Sequence, residues 1–229
     1  MTFLSVGKNE VAHLRVGKDH WLINAGRDKP SDQVEWIVGP YLKSQGVKRL
    51  AGIIWTDELK KHTSGARTLA RDFKWYWDIQ PNGLKNAEIY KTKSREKIYL
   101  NDDDCFSLNQ KIRICRRGDF DGKTFWLDIQ MGKNQVWFFP ADHPQTMQKL
   151  RAEIKKRDID YLYVPEKMLK RDELYEFINP KVIISSSMSK ASVDALVARD
   201  IEFIDLQLTG AVSLIPYGPN RMVGDFFLD

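Results

Sequence analysis

The sequence has few of the residues that hold metal ions or cross-link chains. Its 229 residues include two cysteines, Cys105 and Cys115, and four histidines, none of them at a close metal-ligand spacing. This count excludes a disulfide-rich scaffold and any site built mainly from cysteine. For the two cysteines we expect free thiols in a reducing compartment, and pairing across neighbouring strands is the alternative.

Long apolar runs and several common catalytic motifs are also missing. No hydrophobic run approaches the ~20 residues needed to span a bilayer. Residues 1–8 lack the basic region and apolar core of a secretory signal, so we expect a soluble domain. There is no phosphate-cradling glycine loop and no G-x-S-x-G motif, which excludes two large groups of nucleotide-binding and serine-dependent enzymes.

The overall composition is that of an ordinary globular protein. Hydrophobic residues make up 42% and charged residues 29%, and the formal net charge is +5. A chain of this length buries a sizeable core, and we expect a single domain spanning residues 1–229. The mild positive charge is compatible with a nucleic-acid partner but does not by itself predict one.

The order of strand-like and helix-like segments predicts an α/β layered fold. Alternating apolar segments at the N-terminus predict strands, followed by a helix that includes Pro40 and a buried strand ending at Trp55. Strand-like segments then dominate residues 73–139, and helices alternate with strands from residue 141 onward. This order predicts two mixed sheets packed face to face with helices outside, an αββα sandwich.

Residues 50–66 are the stretch with the most chemical content. A short apolar strand ends abruptly in polar residues, among them Thr56, Asp57, Glu58, Lys61 and His62. In α/β folds, ligand and catalytic sites lie beyond the carboxyl ends of the strands. The pattern therefore predicts a site directly after this strand.

Four blocks, at residues 3–10, 22–26, 40–56 and 138–142, follow an order and spacing similar to those of a known family. They resemble the metallo-β-lactamase fold, and more closely the C-terminal hydrolase-like domain of ComEC-type competence proteins, which are bacterial channels that import single-stranded DNA. The resemblance covers nearly the whole chain. It implies the four-layer αββα sandwich and a binuclear metal site in the loop after Thr56.

The metal loop of that family is altered in this chain. Measured against its pattern T-H-x-x-x-D-H, Asp57 replaces the first histidine, Leu59 stands at the next ligand position and Lys61 replaces the aspartate. His62 is retained. So is Asp142, whose counterpart bridges two metals, whereas Asn24 replaces an aspartate.

The resemblance therefore implies a degenerate site formed by Asp57, Lys61, His62 and Asp142, with no metal expected. Two like charges a few Å apart repel, so an ammonium in this cleft disfavours a second cation. We expect the ammonium of Lys61 to stand in for the lost metal and to pair with Asp142.

Two alternatives stay open for these residues. A reduced site of Asp57, His62 and Asp142, with Glu58 or His143 in reserve, predicts one weakly held zinc or manganese ion and a working hydrolase. The other interpretation is purely structural. In it Lys61 is a solvated loop residue, His62 a core or capping histidine, and Asp142 the cap of a helix at 141–157. The remaining histidines, His13 and His20, are expected to face solvent on the first hairpin.

Aromatic and basic residues interleave at residues 73–78, and more basic residues follow. Aromatic rings stack on bases, and lysines hold phosphates, in proteins that bind single strands. The nucleic-acid candidates are Lys74, Trp75, Trp77, Lys91, Lys93 and Arg95. The alternative is that the aromatic rings pack into a core and the lysines form a solvated face.

Together these observations predict a catalytically inactive metallo-β-lactamase-like domain associated with DNA uptake. Its role is structural or consists in contacting single-stranded DNA, beside or fused to a bacterial membrane channel. The first alternative is a metal-dependent nuclease or phosphodiesterase with the reduced single-metal site. The second is a protein-interaction domain that needs neither DNA nor metal.

Overall fold

The computed structural model describes residues 1–7, 9–27, 34–84, 94–153 and 155–215 of the chain. Within these ranges, fourteen strands form two sheets of seven strands each. None of the described helices is both long and apolar enough to cross a membrane.

The first sheet combines an antiparallel meander with a parallel half. Its strands are β1 (Thr2–Val6), β2 (Asn9–Val16), β3 (Asp19–Ile23), β4 (Leu50–Ile54), β5 (Trp75–Pro81), β6 (Glu96–Leu100) and β14 (Ala211–Ser213). Their order across the sheet is β14-β1-β2-β3-β4-β5-β6. Strands β3 to β6 run parallel to one another, so the segments that follow β3 and β4 meet at one edge.

The second sheet has the same mixed character. Its strands are β7 (Cys105–Asn109), β8 (Ile112–Gly118), β9 (Thr124–Met131), β10 (Asn134–Phe138), β11 (Arg157–Tyr163), β12 (Ile178–Ser185) and β13 (Glu202–Asp205). Their order is β13-β12-β11-β10-β9-β8-β7, with β10 to β13 parallel and β7 to β10 antiparallel.

One hydrophobic core fills the space between the two sheets. Phe3 from the first sheet packs against Phe138 and Tyr163 from the second, and the Phe138–Tyr163 and Phe3–Tyr163 ring centroids are 4.7 Å and 5.1 Å apart. Strand β9 carries buried apolar residues on both of its faces. Ile129 faces this core, whereas Trp126 faces the opposite side, so both faces of the strand are buried.

Helices cover the outer face of each sheet. The helices near the first sheet are α1 (Gly39–Ser44), α2 (Lys60–Thr63) and α3 (Ala66–Asp72), with a π-helical turn at Val34–Val38 before them. The remaining helices are α4 (Thr146–Glu153), α5 (Glu166–Leu169), α6 (Asp172–Phe177), α7 (Lys190–Val197) and α8 (Leu206–Thr209). Leu42 and Leu69 pack on the outer face of the first sheet, and Leu150 and Leu196 on that of the second.

The predicted αββα sandwich of two mixed sheets with helices outside is therefore confirmed. The extent of the domain, residues 1–229, stays a prediction.

The two cysteines are joined, so the expectation of free thiols is wrong. Cys105 on β7 lies directly opposite Cys115 on β8, with their Cα atoms 4.0 Å apart, and a disulfide links them. The short turn between these antiparallel strands brings the two residues into register. Pairing across neighbouring strands, the alternative, is what the fold adopts.

Candidate functional site

The polar residues singled out after β4 lie at the carboxyl edge of the first sheet, beside the end of β3. Asn24 follows β3 with a φ of 59°, a left-handed conformation that asparagine tolerates better than most residues. Its side-chain nitrogen donates to the carbonyl oxygen of Glu10 at 3.0 Å. Its side-chain oxygen accepts from the backbone nitrogen and hydroxyl of Thr56 at 3.1 and 3.0 Å. An aspartate here has no donor for the Glu10 carbonyl, so the amide suits this position.

His62 is fully buried and held at both ring nitrogens. It lies in α2, and its Nδ1 is 2.7 Å from Oδ1 and 2.9 Å from Oδ2 of Asp57. Its Nε2 is 2.8 Å from Oε2 of Glu10. Asp57 is fixed in turn, because its Oδ1 also accepts from the backbone nitrogen of Leu59 at 2.9 Å.

Lys61 binds Glu10, so Asp142 is the wrong partner for it. The Nζ of Lys61 lies 2.7 Å from Oε2 of Glu10 and 3.3 Å from the carbonyl oxygen of Pro140. The second contact reaches the segment after β10, two residues before Asp142. The ammonium of Lys61 therefore lies near the segment that carries Asp142, but it forms its ion pair with the buried carboxylate of Glu10 on β2.

These four residues, Glu10, Asp57, Lys61 and His62, form what we call the buried charge cluster. Ionised carboxylates only accept hydrogen bonds, so a histidine between two of them donates from both nitrogens and is an imidazolium. Burial by itself lowers the pKa of His62, but the charge of Asp57 and the hydrogen bonds that the ring donates to Asp57 and Glu10 outweigh it and raise that pKa. Two cations, the fully buried His62 and Lys61 with 32% of its side chain exposed, then balance the two buried anions.

Asp142 belongs to a different ion pair. Its two carboxylate oxygens lie 2.9 and 3.0 Å from Nη2 of Arg171. No hydrogen bond or ion pair connects it to Asp57, Lys61 or His62, all of which are described. The retained aspartate therefore does not complete a common site with the retained histidine.

The residues present do not fit a metal ion of the kind that the resemblance implies. A histidine ligand needs a neutral ring with a free lone pair, and both nitrogens of His62 face carboxylates. Asp142 is bound to Arg171, and the reserve Glu58 is exposed. Among the described residues, no group of three or more His, Cys, Asp or Glu side chains is arranged to hold a metal.

The other histidines also lie elsewhere. His143 packs its ring edge against Phe125 at 5.7 Å, and burial lowers its pKa. His13 and His20 do not simply face solvent, as expected for a hairpin. His13 is 3% exposed, and its Nε2 lies 3.0 Å from Nδ1 of His20, while its Nδ1 lies 3.0 Å from the hydroxyl of Tyr41.

Four of the six nucleic-acid candidates lie at the opposite edge of the sheet from the buried charge cluster. Lys74, Trp75, Trp77 and Arg95 line one groove at the amino ends of the parallel strands. Trp75 is buried, and its indole nitrogen donates to Oδ1 of Asp78 at 2.9 Å, so it has little surface left for stacking. Lys91 and Lys93 lie outside the described residues.

Sequence reasoning missed Glu10, the residue that organises the cluster. Glu10 lies on β2, which begins at Asn9, and it is 2% exposed. The available signal was an acidic residue at the end of the first block of the resemblance. Only the fold shows that this carboxylate faces Lys61 and His62.

Comparison with known proteins gives likenesses in structure alone. No protein-family profile and no curated protein matches the sequence. A Cronobacter sakazakii metallo-β-lactamase with a HARLDQ motif is 13% identical, with a TM-score of 0.46, covering 70% of this chain and 71% of its own. The metallo-β-lactamase SMB-1, bound to 2-mercaptoethanesulfonate, is 13% identical with a TM-score of 0.47, covering 81% and 79%. The subclass B3 enzyme BJP-1 of Bradyrhizobium japonicum is 15% identical with a TM-score of 0.45, covering 67% and 70%.

Proposed function

We propose that this chain is a non-catalytic domain of metallo-β-lactamase-like fold, in which a buried charge cluster replaces the metal centre. The observation that carries the proposal is the double engagement of His62. Its ring nitrogens lie 2.7 Å from Asp57 and 2.8 Å from Glu10, so neither offers a lone pair to a metal. The retained His62 serves as a cation that connects Asp57, after β4, with Glu10 on β2.

The cluster has a structural role that its connections explain. Glu10 belongs to β2, Asp57 to the segment after β4, and Lys61 and His62 to α2. The contact of Lys61 with the carbonyl oxygen of Pro140 adds the second sheet. Unpaired charges in such a dry location are strongly destabilising, whereas a balanced set of two anions and two cations is tolerated. The cluster therefore joins β2, α2 and the segments after β4 and β10 to one another. A hydrolase of this fold needs an open metal site at the same edge.

Metal analysis of the purified chain tests the proposal. The protein is incubated with zinc or manganese, desalted, and its metal content is measured by mass spectrometry. We expect substoichiometric metal. A matched variant, Asp57→His/Leu59→His/Lys61→Asp, restores the ligand types of the resembled loop and removes the ammonium. This variant is expected to retain more metal than the native chain. Stoichiometric, tightly held metal in the native chain contradicts the proposal.

A hydrolase with a reduced single-metal site is the alternative. It requires Asp57, His62 and Asp142 to converge, and therefore requires Glu10 to release His62 and Arg171 to release Asp142. The test is cleavage of single-stranded DNA and of a simple phosphodiester with added zinc or manganese. We expect no turnover above that of Asp142→Ala. Metal-dependent turnover that Asp142→Ala abolishes favours the alternative.

The predicted association with DNA uptake, including single-stranded DNA and a bacterial membrane channel as partners, stays a prediction that rests on the sequence resemblance. The third interpretation, a domain that binds only another protein, also stays open. Salt-dependent binding of DNA counts against that interpretation, since lysine and arginine contacts with DNA phosphates release counterions.

A further inference from the structure

A groove of about 650 Å³ lies at the amino ends of β3, β4, β5 and β6. The buried charge cluster is at the carboxyl ends of the same parallel strands. Five residues of β4 separate the two, a distance of roughly 17 Å along the strand. The groove is therefore a separate feature, and nothing about the replaced metal centre accounts for it.

Positive charge dominates the lining of this groove. Among its described lining residues, the basic ones are Lys18, Lys48, Arg49, Lys74 and Arg95, and the acidic ones are Asp19 and Asp72. Asp72 already binds Lys43 at 2.5 Å, which reduces its effect on the groove. No ion pair or side-chain hydrogen bond within the described part of the chain engages Lys18, Lys48, Arg49 or Lys74. These unneutralised cations create a field that attracts anions.

Aromatic rings stand beside these charges. Tyr76 is 40% exposed, and its ring meets that of the half-buried Trp77 edge to face at a centroid distance of 4.8 Å. The guanidinium of Arg95 lies 6.0 Å from the centroid of Tyr76. A large exposed ring next to a cation is a surface on which a flat, electron-rich group stacks. The basic side chains of Lys18, Lys48 and Arg49, which precede β3 and β4, line the same groove.

Gly52 lies between two tryptophans that line the groove, Trp21 and Trp77. It lies on β4 in register with Trp21 on one side and Trp77 on the other. A Cβ atom here meets a ring carbon of Trp21 at 2.5 Å and the carbonyl oxygen of Trp77 at 2.7 Å. Only glycine lets these two residues approach so closely, and both tryptophans line the groove.

We propose that this groove binds a nucleoside phosphate, either free or as one unit of a single strand. The base stacks on Tyr76 beside Trp77, and the phosphate is held by Lys74 together with Lys48 and Arg49. Aromatic stacking combined with unpaired cations is the chemistry by which proteins hold single-stranded nucleic acids without reading their sequence. The proposal does not depend on the loss of metal chemistry at the opposite edge.

Fluorescence anisotropy with a labelled single-stranded oligothymidylate of about eight nucleotides tests this proposal. Tyr76→Ala is expected to weaken binding about fivefold or more, because stacking contributes that much per base. Tyr76→Phe keeps the ring and is expected to retain binding. Lys74→Glu is expected to weaken binding and to reduce the dependence of affinity on salt by about 0.7 in the logarithmic slope per lost phosphate contact.

Lys190→Glu is the control for charge alone. It reverses an exposed lysine at the start of α7, outside the lining of the groove, and is expected to leave affinity nearly unchanged. Thermal melting of each variant establishes that it is folded.

Competition experiments identify the source of the ligand. Displacement of the labelled strand by thymidine monophosphate at similar nucleotide concentration assigns the groove to free nucleotides, whereas displacement only by longer strands assigns it to single-stranded nucleic acid. Polyphosphate without bases that competes equally well, together with full binding by Tyr76→Ala, overturns the proposal. So does an absence of binding to every probe at low salt.

Discussion

The Nε2 atom of His62 lies 2.8 Å from the Oε2 atom of Glu10, although 52 positions separate the two residues in the chain. The same carboxylate oxygen accepts from Nζ of Lys61 at 2.7 Å. One buried oxygen thus serves two neighbouring cations of α2 and anchors that helix to β2. The arrangement makes Glu10 the residue on which the electrostatics of this edge depend.

Glu10→Gln should therefore destabilise the fold severely. The substitution leaves His62 with Asp57 as its one charged partner in the cluster and removes the carboxylate that pairs with Lys61. Removing one partner of a buried ion pair typically costs about 3–5 kcal/mol. Urea unfolding at neutral pH, followed by circular dichroism, measures the difference in the free energy of unfolding.

Asp72→Asn provides a matched control, since it also removes one carboxylate from an ion pair with lysine. The Lys43–Asp72 pair is exposed, and such pairs contribute about 1 kcal/mol or less. Equal losses for the two variants contradict the special role of the buried oxygen.

The charge on His62 should make stability depend on alkaline pH. Its pKa in the folded protein is raised above the unfolded value of about 6.5. Its contribution is therefore complete below about pH 6.5 and is lost as the pH rises through the higher folded-state pKa. Unfolding free energies measured from about pH 6 to about pH 9 should fall less steeply in a His62→Gln variant.

Nuclear magnetic resonance of the His62 ring checks this point without a variant. The ring nitrogen shifts report protonation directly, and we expect an imidazolium at neutral pH. A ring that loses its proton below about pH 6.5 rules out the assignment.

His13 should act in the opposite direction, on the acid side. Burial, followed by the charge of the neighbouring His20, lowers its pKa to about 3. The unfolded chain therefore binds a proton that the folded chain excludes, and stability falls as the pH drops below about 6.5. The loss approaches about 1.4 kcal/mol for each further pH unit until the folded-state pKa is reached. His13→Gln should flatten this acid limb in the same unfolding series, and an unchanged slope contradicts the assignment.

Local sequence patterns predicted the architecture well, because each pattern reflects contacts between near neighbours. The apolar run before Thr56 is β4, and Pro40 lies in the first turn of α1, as its fixed φ favours. The helix predicted at 141–157 is shorter, since α4 spans Thr146–Glu153 and begins only after Pro144.

The partners of charged side chains were less predictable, because the chain brings them from distant positions. Lys61 was expected to bind Asp142 and instead binds Glu10, which lies 51 positions away. Asp142 binds Arg171, 29 positions further along the chain. Periodicity carries no information on such pairs. Which of several acidic residues faces a lysine is decided by the packing of two sheets and not by the spacing of residues.

The Cys105–Cys115 disulfide should contribute measurably to stability. It closes a loop with a sequence separation of 10, for which the chain-entropy relation gives about 3 kcal/mol. We expect Cys105→Ala/Cys115→Ala to lower the free energy of unfolding by an amount of this order. The unsubstituted chain in excess reductant should match the double variant, because both lose the same constraint on the unfolded state. Thiol titration of the denatured protein should find no reactive thiol before reduction and both afterwards. Two reactive thiols before reduction, with stability unaffected by reductant, contradict a disulfide across β7 and β8.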